Sequence, residues 1–124
     1  MPIFVVHRHA ASHLHWDLRL SMESVLRSWA IPKEPPRAKG IKRLAIQVED
    51  HPISHAKYEG TIAEGMYGAG TVKIWDSGKY DLKEKTEEKI VVTFHGSKLN
   101  GEYALIKMKS TKYPGKKNWL FFKL

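Results

Sequence analysis

The chain has 124 residues, enough for one hydrophobic core and too few for two. It contains no cysteine, which excludes disulfides and thiolate metal sites, so any metal must be held by nitrogen and oxygen. Lys and Arg total 21 against 13 Asp and Glu, and the resulting charge of +8 favours an anionic partner, nucleic acid foremost.

No apolar run approaches the roughly 20 residues that cross a bilayer, and no signal-peptide pattern opens the chain, so no membrane partner is expected. The expected setting is cytoplasmic, in the cytosol or nucleoid, and the expected state a monomer. Strand signals then follow one another along the chain. HLHWDLRL (13–20), SVLRSWAI (24–31), RLAIQVED (43–50), TVKIWD (71–76), KIVVTFHG (89–96), EYALIKMK (102–109) and NWLFFKL (118–124) alternate or carry β-branched and aromatic residues. Turn signals separate them: PKEPPRAKG, HPISH, EGMYGAG, DSGK, KLNGE and YPGKK. The fifth and sixth strands, joined through SKLNG, read as an antiparallel hairpin. The proline-rich stretch 32–42 reads as an exposed loop, and a short helix fits around 53–58 or 83–89. The whole predicts one domain over 1–124, mainly β, a small compact β-barrel with a polar pocket and few short helices.

Two strands carry chemistry on one face. Along HLHWDLRL, Leu14, Trp16, Leu18 and Leu20 share one face, and His13, His15, Asp17 and Arg19 share the other. Along RLAIQVEDH the same alternation assigns Leu44, Ile46 and Val48 to an apolar face and Arg43, Gln47, Glu49 and His51 to a polar one, with Ala45 among them. The polar faces are made of His, Asp, Arg, Gln and Glu, the residue types of ligands and catalysts, without Lys, Ser or Thr. If the two meet across the barrel, they line a polar pocket.

His15 and Asp17 aim an imidazole and a carboxylate at one point, and His9 is the best third donor. Two His and one carboxylate bind a divalent cation on one side and leave the other open, a set suited to Mn²⁺, Fe²⁺ or Zn²⁺. Arg19 and Arg43 beside a metal call for an anion between them, and a phosphate fits. His51 is placed to move a proton there, while Gln47 and Glu49 orient the other groups or a ribose hydroxyl. His7 and His95 read as structural, and His13 as a supporting or solvated residue. GMYGAGTVK lacks the spacing of a phosphate-binding P-loop, since Lys73 stands three residues beyond Gly70.

HRHAASHLHWDLRL, VLRSWAIPK, KRLAIQVEDHP, the run from YEG to IWDSG, the F-x-HG-x-KL-x-G-x-YALIK segment and the terminal WLFFK together resemble the 3′-phosphoesterase domain of DNA ligase D, in order along the whole chain. The resemblance implies a compact β-barrel enzyme of end-joining repair that uses Mn²⁺, with Zn²⁺ or Co²⁺ as substitutes. Its expected reactions are removal of a terminal 3′-ribonucleoside by phosphodiesterase action and of the remaining 3′-phosphate by phosphomonoesterase action. By motif position the metal ligands would be His9, His15 and Asp17, and Arg19, Arg43 and His51 would hold the phosphate. Where the family commonly has a Tyr four residues after the HP histidine, this chain has His55, an expected phosphate contact with altered pH dependence. The N-terminal extension of many members is expected to be missing. On that reading the protein stands free and meets primer-template DNA or DNA/RNA 3′ ends, and an end-joining ligase and polymerase, in trans. Two other readings use the same residues: a non-catalytic nucleic-acid-binding β-barrel module, and a 2-His-1-carboxylate Fe(II) oxygenase.

Overall fold

The computed structural model describes residues 2–66, 69–109 and 117–124. Strands β1 (Ile3–Ala10), β2 (Leu14–Met22), β3 (Val25–Ile31), β4 (Lys42–Pro52), β5 (Gly60–Ile62), β6 (Gly70–Lys85), β7 (Lys89–His95), β8 (Asn100–Lys107) and β9 (Asn118–Lys123) are joined by one 3-10 segment, Ile53–Lys57. Their order is β1-β2-β3-β4-β9-β8-β7-β6, and pairing of β1 with β6 closes the ring into an eight-stranded barrel. Every neighbour is antiparallel, and β5 pairs with the start of β6 on the edge that β7 leaves uncovered. Closure removes the free edges that an open sheet would expose.

Each wall strand sends alternate side chains inward. Phe4, Val6, Trp16, Leu18, Leu20, Trp29, Ile31, Ala45, Tyr80, Val92, Phe94, Tyr103, Leu105, Trp119 and Phe121 form the buried core. Its aromatic rings interlock, with Trp29 and Trp119 edge to face at 5.8 Å and Tyr103 stacked on Phe121 at 5.1 Å. The interior is therefore apolar and filled.

Several local expectations change. The run that holds His7 and His9 is a strand, β1. TVKIWD and the DSGK turn signal lie inside one 16-residue strand, β6, which runs on to Lys85 and so excludes a helix over 83–89. Extra residues at its register shifts against β1 and β7 bend it around the barrel. Gly78 within DSGK is needed for close approach rather than a turn, because a Cβ there would lie 2.5 Å from the His95 carbonyl oxygen. Residues 32–42 are not a wholly exposed loop: Pro35 and Pro36 are buried, and the Tyr103 hydroxyl donates to the Pro36 carbonyl at 2.7 Å. The expected hairpin is present as β7 and β8, and 53–57 is the short helical turn. Most of YPGKK, and Tyr67 and Gly68 of EGMYGAG, lie outside the described residues.

Candidate metal and phosphate site

The polar residues occupy the outer wall of the barrel, not its interior. Asp17 and Arg19 alternate with Trp16, Leu18 and Leu20 on β2, and pairing sets His7 opposite Asp17 and His9 opposite His15. On β3 the same face carries Ser28, opposite Arg19, and Ala30, opposite Asp17. The expected pocket across the barrel is thus replaced by a cavity on its outside, roofed by the 3-10 turn and β5. It measures about 570 Å³; its polar lining is His9, His15, Asp17, Arg19, Glu49, His51 and His55, and Ala30, Val48, Tyr58, Ile62 and Val72 line it too.

Strand β4 accounts for the difference. Between Ser28–Val48 and Leu26–His51, two steps on β3 match three on β4, so β4 carries one extra residue at Glu49–Asp50. The bulge turns His51 onto the same face as Val48. Upstream of it, Ala45 and Gln47 point inward: Ala45 is in the core, and Gln47 Oε1 accepts from Trp119 Nε1 at 3.2 Å. Leu44 and Val48, expected in the core, are instead 39% and 38% exposed. Arg43 also stays out of the cavity; its Nε donates to the Glu34 carbonyl at 2.9 Å, and it lines a separate cleft.

His9, His15 and Asp17 bring one donor atom each to within 4.8 Å of one another. His15 Nδ1 donates to the His13 carbonyl at 3.0 Å, and Nε2 lies 3.3 Å from Asp17 Oδ2, to which it donates when the ring is protonated. Asp17 Oδ2 also lies 4.0 Å from His9 Nδ1. Burial pushes the Asp17 carboxyl up, but the His15 hydrogen bond and the Arg19 charge outweigh it and hold the pKa below the ordinary carboxylate value. That hydrogen bond to Asp17 raises His15 in turn. An anionic oxygen between two imidazoles, open to a cavity, fits a divalent cation.

Arg19 sits behind this group, 5% exposed. Its Nε donates to His7 Nδ1 at 3.1 Å, Nη1 donates to Ser28 Oγ at 2.8 Å, and Nη2 lies 3.5 Å from Asp17 Oδ2. His7 is fully buried, and burial first, then the Arg19 charge, pushes its pKa down to about 4, so it stands neutral as an acceptor. His51 Nδ1 lies 3.0 Å from Arg19 Nη1 and 3.0 Å from the Glu49 carbonyl. One nitrogen cannot serve both at once: protonated, it donates to Glu49, and bare, it accepts from Arg19. Burial and then Arg19 lower the pKa of His51 and of His55, which stack at 4.7 Å.

Of the residues expected from sequence, His9, His15, Asp17, Arg19, Glu49, His51 and His55 line one cavity, and Gln47 and Arg43 do not. His7, expected to be structural, buttresses Arg19 from inside the wall. Ser28 and Tyr58 carry no signal in the sequence: Ser28 faces Arg19 through the β2–β3 register, and Tyr58 reaches the cavity through a turn no periodicity reports. His95 pairs with Asp81 at 2.7 Å on the surface and takes no part. Among the described residues no helix is long and apolar enough to cross a membrane.

Comparison with known proteins shows the family of the chain. The sequence profile of the DNA ligase D 3′-phosphoesterase domain matches residues 7–107. The chain is 42% identical over 128 residues to the multifunctional non-homologous end joining protein LigD of Mycolicibacterium smegmatis, covering 94% of this chain and 16% of that protein. Identity is likewise 42% to LigD of Mycobacterium tuberculosis, covering 89% of this chain and 15% of that protein. It is again 42% to LigD of Pseudomonas aeruginosa, covering 95% and 14%. The chain therefore spans only a small part of the length of these relatives.

Proposed function

This chain belongs to the DNA ligase D 3′-phosphoesterase domain family, and from that premise we propose that it is a divalent-metal-dependent phosphoesterase that heals DNA 3′ ends in non-homologous end joining. Mn²⁺ is the proposed cofactor, with His9, His15 and Asp17 as its ligands. The reactions are release of a terminal 3′-ribonucleoside and then of the 3′-phosphate, alongside the ligase and polymerase activities of end joining. The observation that carries the reading is the junction of two nitrogens and a carboxylate with a buried, pre-oriented arginine in one cavity.

His9, His15 and Asp17 would hold a divalent cation, which would supply Lewis-acid charge beside a bound phosphate. Arg19, clamped by His7, Ser28 and Asp17, offers positive charge that needs no reorganisation as charge develops on the phosphoryl group. His51 moves the proton. When Nδ1 accepts from Arg19, Nε2 carries a proton to give to a leaving oxygen; when Nδ1 donates to Glu49, Nε2 is bare and takes one. His55, stacked on His51, supports that ring and borders the phosphate.

The test is a primer-template whose primer ends in ribonucleotides, with a matched primer ending in a 3′-phosphate. Each is incubated with protein and Mn²⁺, with EDTA, and with the His15→Ala or Arg19→Gln variant. Metal-dependent shortening and phosphate loss, abolished in both variants, are expected. Products that persist in EDTA, or no product on either primer, would end the proposal.

A further inference from the structure

The face that joins the cavity to the end of the barrel has no role in the reading above, and its composition is unusual for an outer wall. A second cleft of about 210 Å³ is lined by Pro32, Lys33, Lys42, Arg43 and Leu44, three cations with no acidic side chain among them. Arg43 is aimed by its Nε bond to the Glu34 carbonyl, and its terminal nitrogens have no protein partner among the described residues. The two depressions share strands. Ala30 lines the cavity and Pro32 the cleft, two residues apart and about 7 Å along an extended chain; Val48 and Leu44 do the same on β4, about 13 Å apart.

Between them, the outward side chains of β4 are Leu44, Ile46 and Val48, an apolar strip in which Leu44 and Val48 are exposed and Ile46 is half-buried. A metal and arginine site at one end, three cations at the other and an apolar strip between match the chemistry of a nucleic-acid strand: phosphate, sugar and base, phosphate. One strand of a duplex carries a charge about every 3.4 Å of axis, so a strand whose end reacts in the cavity passes further phosphates within reach of the cleft.

We propose that Lys33, Lys42 and Arg43 form a second phosphate site, holding a backbone phosphate one to three nucleotides upstream of the reacting one, with the intervening nucleoside lying along Leu44, Ile46 and Val48. This rests on the proposed function for the direction of the strand, and it reassigns Arg43 from the scissile phosphate to the strand behind it. The site fixes the register of the 3′ end and makes substrate length a determinant of binding.

The experiment is a binding scan on the metal-free protein, by fluorescence anisotropy, with a labelled primer-template ending in a 3′-phosphate. Single methylphosphonates replace the primer phosphates one at a time, removing one charge each. Wild-type protein should lose about three- to tenfold affinity at one linkage among the three nearest the end, the scale of a charge-assisted phosphate contact. The Lys33→Gln/Lys42→Gln variant and, separately, Arg43→Gln should bind the unmodified primer more weakly by a similar factor. Both should be indifferent to methylphosphonate at that linkage, with thermal melting confirming that they fold. A flat scan in wild-type protein, or losses that simply multiply in the variants, would overturn the second site. Because the readout is binding, it is decided whether or not either primer is cleaved; failure of cleavage counts against the catalytic reading alone.

Discussion

Replacing His7 with Gln isolates a single buried proton equilibrium. His7 is fully enclosed, and burial together with the neighbouring Arg19 charge pushes its pKa from 6.5 to about 4. Because the folded-state value lies below the unfolded one, the unfolded chain takes up the proton first as pH falls. The stability His7 lends is therefore complete above pH 6.5, declines between 6.5 and about 4, and is gone below. At about 1.4 kcal/mol per pH unit this costs the wild-type protein about 2 kcal/mol by pH 5 and about 3 kcal/mol by pH 4. Gln keeps an oxygen to accept from Arg19 Nε and does not titrate. Urea unfolding of the metal-free proteins, followed by tryptophan fluorescence at several pH values, gives the difference between the two. That subtraction cancels His15, His51 and His55, which titrate in both. The wild-type protein should lose about 2 kcal/mol relative to His7→Gln between pH 7.5 and 5. A difference that stays flat over that range would refute the account of His7 as a neutral buttress.

Asp17→Asn should weaken Mn²⁺ binding by about 100-fold or more by titration calorimetry, since it removes the anionic donor, and should let the His15 pKa fall from its raised value. Asp76 accepts from the backbone amides of Ser97, Lys98 and Leu99, so Asp76→Ala should cost about 3 kcal/mol in urea unfolding by stranding donors in a tight, partly buried turn. The β2–β3 turn places Glu23 and Ser24 at φ of 51° and 70°, and substituting Asn-Gly there should stabilise the protein by about 1 kcal/mol, read as a raised melting temperature.

Period-two reading succeeded on β2 because that strand pairs with both neighbours without a register shift, so every second residue from Trp16 to Leu20 faces the core. On β4 the same reading inverted the strand. Two features defeated it: the extra residue at Glu49–Asp50, and inward positions filled by Ala45 and Gln47, a small residue and one whose amide is satisfied by Trp119. Neither leaves a mark on hydrophobic alternation. His51 lies 3.0 Å from Arg19, but the bulge sets it out of phase with Gln47. The H-x-D pattern on β2 and His9 on β1 were legible because antiparallel pairing across a short connection brings them together whatever the rest of the fold does. The outer position of the cavity was not, since it depends on barrel closure by β1 and β6.

Interleaving of His7 and His9 with Val6, and of Asp17 and Arg19 with Trp16 and Leu18, has a consequence for assembly of the barrel. A slip of one residue between neighbouring strands would exchange their faces, driving a carboxylate and a guanidinium into a tryptophan- and phenylalanine-filled interior. Each such burial costs several kcal/mol even after relaxation, more than a mispaired hairpin recovers from its backbone bonds. The charged residues are thus expected to penalise off-register alignment of the strands as the chain folds. Variants that neutralise them are expected to lose fidelity of pairing as well as binding, and to leave more protein trapped off register during refolding.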